Sequence, residues 1–270
     1  MTESDEKPLH GIRVLEIGAY LAAPLVGKHM QSLGAEVDVI IRPASARGAE
    51  AEEAWRPATT AALRRGKGVH HLDLKDNDVG AERVRGLIAR ADVVIVGFAP
   101  SVAKRLRVDA ASCHLLNERC IHLSLPGFSD HEASRMTAPA WEAAILAASG
   151  LFRDMGLNRQ LQGCVASYSP LPLASAYASV VASLAAVTAL LARARGVASA
   201  AGATIEVPLA SALLEMLVHN SLDIGGAGLP PAYLSRRQRA LARKATGATR
   251  RTHAYPMDCL LYTSPSPRDS

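Results

Sequence analysis

Aromatic residues make up only 4% of this 270-residue chain, with two tryptophans and three phenylalanines. The core must therefore be built from small and branched aliphatic side chains. The chain's basic run between Ile224 and Met257 also has no flanking aromatic platform on which bases could stack, and no RNP-like motif. Its four cysteines, Cys113, Cys120, Cys164 and Cys259, form no CxxC pair and have no histidine at metal-ligand spacing. That excludes a disulfide scaffold, a structural zinc site and a thioredoxin-type site, and points to a reducing compartment and no metal. The start, Met1 to Pro8, is polar and acidic and lacks the basic and apolar regions of a signal peptide. Cytoplasmic residence is the expectation.

Two glycine motifs are missing as well. After the first β-rich run comes Gly18-Ala-Tyr-Leu-Ala-Ala, without the G-x-G-x-x-G that lets backbone approach a pyrophosphate, so a nicotinamide enzyme is disfavoured. No Walker A sequence is present, which removes the main support for phosphoryl transfer.

The formal charge is +5, from 30 basic and 25 acidic residues. Seven of the basic residues (Arg236, Arg237, Arg239, Arg243, Lys244, Arg250, Arg251) lie between Ile224 and Met257, where there is no acid, leaving 23 basic against 25 acidic elsewhere. The body is thus nearly neutral, and the basic run reads as a solvated connector with no nucleic-acid partner. A second run, Gln160 to Ala192, has no charge at all, and Leu171 to Leu191 is long enough to cross a bilayer. Serines, Thr188 and many alanines dilute it, so a helix packed in a core is expected rather than a membrane span.

The first half alternates strand and helix signals. Strands are expected at Arg13–Ile17, Glu36–Ile41, Val69–Leu74, Asp92–Phe98 and Cys120–Leu125, and helices at Ala22–Leu33, Val79–Arg90 and near Val102–Leu106. A further strand is expected at Thr204–Val207 and a helix at Leu209–Leu222. This rhythm predicts an α/β class, a Rossmann-like doubly wound parallel sheet with the start of a smaller second domain. The expected divisions are residues 8–223 for the large domain, 224–258 for the connector and start of the small domain, and 259–270 for a tail. Ligands of such sheets bind outside the carboxyl ends of the strands.

Six segments in order carry a resemblance: Pro8 to Gly18, Leu33 to Pro43, Arg64 to Lys75, Ala91 to Leu106, Leu123 to Phe128 and Ala148 to Leu151. Together they resemble the family III CoA-transferases, the group of formyl-CoA and carnitine CoA-transferases. The resemblance implies binding of coenzyme A as an acyl-CoA substrate, a carboxylic acid as acceptor, and an interlocked homodimer of the full-length chain. It places CoA contacts at Leu21, Ala22, Arg42, Leu72, Asp73, Leu74, Lys75, Gly97, Phe98, Ala99 and Arg105. Arg42, Lys75 and Arg105 suit phosphate on chemical grounds, arginine as a fork and lysine as a point charge.

The chain departs from the family at two places. Gly97-Phe98-Ala99-Pro100-Ser101 stands where the family has Asn-Phe-Arg/His-Pro-Gly, removing a polar contact to CoA. At the nucleophile, where the family has an aspartate near a helix start, this chain has Ser175, with Ser179 in place of the following glycine. A carboxylate attacking a thioester gives a mixed anhydride that CoA thiolate can attack in turn; a serine gives a far less reactive ester and needs a base. No base is adjacent in sequence, though Glu142 and Asp154 are candidates. Trp141 and Ser175 occupy the positions where the racemase branch has a histidine and an acid. Two readings follow: a CoA-transferase with altered chemistry, or a catalytically degenerate CoA-binding half of a tandem or partnered enzyme. Finally, Cys259 to Asp269 resembles an in-frame translation of a transposase sequencing adapter. On that reading the native sequence breaks off near Asp258, and a poorly soluble product is expected.

Overall fold

The computed structural model describes residues 7–18, 20–43, 57–75, 79–129, 141–149, 151–154, 169–197 and 202–216. The connector 224–258, the tail 259–270 and the second half of the expected helix Leu209–Leu222 lie outside them. Two compact units are present, one from residues 1–149 and 169–215, the other from 150–168 and 216–270.

In the first unit the β-branched runs form six strands: β1 Arg13–Ile17, β2 Glu36–Ile41, β3 Gly68–His71, β4 Val93–Val96, β5 Ile121–Ser124 and β6 Thr204–Glu206. All pair in parallel, in the order β3-β2-β1-β4-β5-β6. Leu15 lies opposite Asp38 on one side and Val94 on the other, fixing the register around the central strand. The order reverses between β1 and β4, the switch point at which doubly wound sheets open a crevice.

The helices are α1 Ala22–Ser32, α2 Pro57–Arg64, α3 Val79–Arg90, α4 Pro100–Arg105, α5 Ala110–Leu116, α6 Glu142–Ala148, α7 Leu151–Asp154, α8 Leu173–Ala194 and α9 Leu209–Met216; α7 belongs to the second unit, and in the first unit helices cover both faces of the sheet. Leu15, Ile17, Ile40, Val94 and Val96 bury one face of the sheet against Val84, Leu87 and Ile88 of α3, Ala103 of α4 and Cys113 of α5. The other face packs against α1 and α8. Because both faces are covered, β4 is apolar at every position and wholly buried.

Where the elements differ from expectation, hydrogen bonding explains it. The third strand stops at His71 rather than Leu74. Among the described residues it is an edge strand paired with β2 alone; after Leu72 donates to Ile41 the chain turns, with Asp73 Oδ1 accepting from the Lys75 N–H at 3.0 Å. The fourth strand is regular over Val93–Val96, and Asp92 extends its hydrogen bonding at the start, its N–H donating to the Arg13 carbonyl at 2.8 Å and its carbonyl accepting from the Ile121 N–H at 2.9 Å, while its carboxylate accepts from the Arg13 N–H at 3.0 Å and from Arg193 at 2.7 Å.

The uncharged run becomes α8, whose 22 residues span about 33 Å. It is long and apolar enough to cross a membrane by length and composition. One side is buried by a stripe of small residues, Ala174, Ser175, Ala178, Ser179, Ala182, Ser183 and Ala186, which lets α1 pack close. Val180, Leu184 and Leu191 on the outer side are exposed, so the expected burial holds for one face only. The buried hydroxyls of Ser179 and Ser183 donate to the Ala176 and Ser179 carbonyls. Arg193 ties the end of α8 to the amino ends of the strands through Asp92 and the Arg119 carbonyl. The start of α8 therefore points toward the carboxyl ends.

Candidate functional site

A cleft of about 240 Å³ opens at the carboxyl ends of β1, β2 and β3. Its apolar walls come from Ile40 and Ile41 of β2, from Leu72 and Leu74 beyond β3, and from Phe98, Val102 and Leu106 around α4. Among the described residues four cations line it: Arg42, Arg64, Lys75 and Arg105. Of its two acids, Asp73 sits in the turn that leaves β3, and Glu16 is neutralised from behind. The mouth thus presents positive charge beside apolar surface, which fits a ligand with phosphates at one end and an apolar arm.

Glu16 belongs to the floor. Its carboxylate accepts a 2.5 Å hydrogen bond from Lys67 Nζ, and the two side chains are 2% and 1% exposed. Lys67 also donates to the Pro24 carbonyl at 3.0 Å, joining α1 to the segment before β3. Burial pushes the Glu16 carboxyl up and the Lys67 ammonium down, each opposed by the charge of the other. Gly27 of α1 is required here, because a Cβ on it would run into the Glu16 carboxylate.

The sequence-predicted contacts divide into two sets. Arg42, Leu72, Asp73, Leu74, Lys75, Phe98 and Arg105 line the cleft. Leu21, Ala22, Gly97 and Ala99 do not. Leu21 is the N-cap of α1 and Ala22 its buried first residue. Gly97 serves packing: a Cβ there would lie 3.0 Å from Ala23, and one on Gly18 would lie 3.1 Å from Gly97. Ala99 caps α4 ahead of Pro100. Tyr20, which sequence reasoning passed over, lines the cleft, is 65% exposed, and holds φ at +70°. A bulky side chain in that region is strained, a signal readable only from the backbone.

Ser175 lies outside the cleft lining, in the first turn of α8. Its hydroxyl donates to Glu142 Oε2 at 2.5 Å. The same carboxylate accepts from the Ser175 N–H at 3.1 Å and, through Oε1, from the Ala174 N–H at 2.7 Å. The structure thus supplies the acid that sequence spacing left unplaced. Trp141, the preceding residue, is exposed. Elsewhere, burial pushes the Cys113 and Cys120 thiols up to about 12 and about 11, which leaves both unreactive.

A family model for CoA-transferase family III matches residues 9–250. The chain belongs to this family. Among curated relatives, the CoA-transferase/lyase DddD of Marinomonas sp. (strain MWYL1) is 36% identical over 238 residues, covering 88% of this chain and 27% of that protein. The succinate–glutarate CoA-transferase of Agrobacterium fabrum is 34% identical over 134 residues, covering 45% of this chain and 32% of that one. The chain therefore matches about a quarter to a third of the length of these relatives. Among solved structures, a CAIB/BAIF family protein from Brucella suis superposes with a TM-score of 0.66 at 23% identity, over 91% of this chain and 59% of that one. Rv3272 from Mycobacterium tuberculosis gives 0.66 at 23% identity over 78% and 58%. These structural likenesses concern the fold, a Rossmann-like parallel sheet shared with the CoA-transferase family III.

Proposed function

We propose that this chain binds an acyl-CoA thioester along the cleft and takes part in moving CoA between that thioester and a carboxylic acid. The observation that carries the reading is the convergence of Arg42, Lys75 and Arg105 on one apolar-walled cleft at the strand ends. Two guanidinium forks and an ammonium suit the phosphates of CoA, and the leucines beside them suit its adenine and pantetheine arm. The names of the curated relatives support the reaction class. An acyl-CoA, a carboxylic acid, a second copy of the full-length chain and a cytoplasmic setting are the partners and place this reading assigns.

A second reading is that the chain is the CoA-binding half of a tandem or partnered enzyme whose other half supplies the carboxylate nucleophile. Ser175 at the nucleophile position favours it, since a serine ester does not exchange with CoA as an anhydride does. So does length: from the matched residues and their shares, the DddD relative is about twice as long as the Agrobacterium one. Transfer of CoA from succinyl-CoA to a labelled acid separates the readings. The Ser175→Asp variant is expected to gain transfer activity if the surrounding site is intact; a folded, CoA-binding variant with no gain would favour the partnered enzyme.

A further inference from the structure

We propose that Ser175 and Glu142 form a nucleophile–base pair that takes the acyl group of a CoA thioester as a serine ester and releases it to water. This would give the chain an acyl-CoA hydrolase activity distinct from CoA transfer. The inference rests on the reading that the cleft binds acyl-CoA.

The geometry points to this pair in three ways. First, hydroxyl, base and orienting groups stand in the relation nucleophilic catalysis needs: Ser175 Oγ donates to Glu142 Oε2 at 2.5 Å, and the carboxylate is held by the Ala174 and Ser175 amides. Second, the hydroxyl is directed at a carboxylate rather than along its own helix. Ser179 and Ser183, one and two turns along the same buried stripe, donate to carbonyls of their own helix, whereas Ser175 donates to a side chain 33 residues away. Capping α8 needs only the carboxylate on the backbone amides.

Third, the pair lies at the ligand end of the sheet. His29 of α1 meets Ser183 of α8 at 3.1 Å, and Arg193 is fixed at the amino ends by Asp92. Counting back eight residues from each partner, about 12 Å along either helix, brings α1 to Leu21 and α8 to Ser175. Tyr20 and Pro24, beside that point, line the cleft.

The chemistry balances without an outside oxidant or reductant. Ser175 Oγ attacks the thioester carbonyl carbon as its proton passes to Glu142. The C–S bond breaks, and the proton goes on to the departing CoA thiolate, leaving an acyl ester and free thiol. Water then attacks the ester carbonyl, Glu142 takes its proton and returns it to Ser175 Oγ, and the carboxylic acid leaves.

The test uses the whole chain with acetyl-CoA and no acceptor acid. Free CoA is measured as thiol, and the quenched protein is mapped by mass spectrometry. The expected results are steady thiol release and an acetyl group on the Ser175 peptide that survives neutral hydroxylamine. Glu142→Gln is expected to slow acetylation about 100-fold with CoA binding unchanged, and Ser175→Ala to abolish it. If Ser175→Ala does not fold, Ser175→Cys is expected to carry the acetyl group as a hydroxylamine-sensitive thioester. Bound CoA with neither thiol release nor adduct would overturn the proposal, as would a hydroxylamine-sensitive adduct on Glu142. Failure to bind CoA at all would instead overturn the cleft reading on which it rests.

Discussion

At the amino ends of the strands the polar side chains are committed to the fold; at the carboxyl ends they face a cleft. Asp92 joins β1, β4 and α8 by accepting from Arg13 and Arg193, and Asn117 donates to the Ala91 carbonyl at 2.9 Å beside them. At the other end Arg42, Lys75 and Arg105 line a cleft walled in part by leucines. The difference is topological. A strand followed by a helix turns back over the sheet at its carboxyl end, and the turns on the two sides of the switch point diverge and leave a crevice. Substitutions at the two ends should therefore separate, stability falling at one and ligand affinity at the other.

The largest effect is expected at the boundary, on the buried pair under the cleft. Lys67→Met would leave the Glu16 carboxylate buried without a partner, at a cost of about 3–5 kcal/mol. Replacing both, as Glu16→Leu with Lys67→Met, should recover most of that loss; denaturant midpoints read both. A loss of similar size in the double variant would mean that the pair holds the fold by more than mutual charge neutralisation. Next comes the brace at the amino end. Arg193→Ala removes a hydrogen-bonded ion pair whose partners are 15% and 30% exposed, so solvent screening limits the cost to about 1–2 kcal/mol, with CoA affinity unchanged. A change in affinity would break the separation of the two ends.

A further expectation concerns pH. Cys113 and Cys120 have folded-state values near 12 and 11, above the usual thiol range. Folded thiols therefore hold their protons where unfolded ones have lost them. The stability they contribute is fully present below about pH 8.5, the ordinary thiol value, and is lost as pH rises through the folded values. Alkaline unfolding should be shallower in Cys113→Ala/Cys120→Ala, by urea titration between pH 8 and 11, and native thiols should resist alkylation at pH 8.

Much of this architecture was legible in the sequence, for a local reason. The central strands Val93–Val96 and Arg13–Ile17 are short runs dominated by branched aliphatic residues, and α1 and α3 carry clear 3.6-residue spacing. The short helices α2, α5 and α6 were not read, because seven or eight residues carry too little periodicity and are stabilised by what they pack on. Three of the cleft's cations, Arg42, Lys75 and Arg105, were legible from their places after strands or at a helix end, whereas Arg64, which ends the unread α2, was not. Long-range pairs were not: Lys67 meets Glu16 across 51 residues and Glu142 meets Ser175 across 33. No spacing rule reaches that far, since the sheet order decides it. Gly97 is a different case, a residue in a ligand-contact motif whose missing Cβ also lets β1, β4 and α1 close together.

The central claim, that the carboxyl-end cleft is a CoA site, is tested most directly by calorimetric titration of the protein with CoA, compared with the Arg42→Ala, Lys75→Ala and Arg105→Ala variants. Saturable binding that weakens about tenfold per lost cation in folded protein is the predicted result. Binding that is indifferent to all three substitutions in folded protein would contradict it.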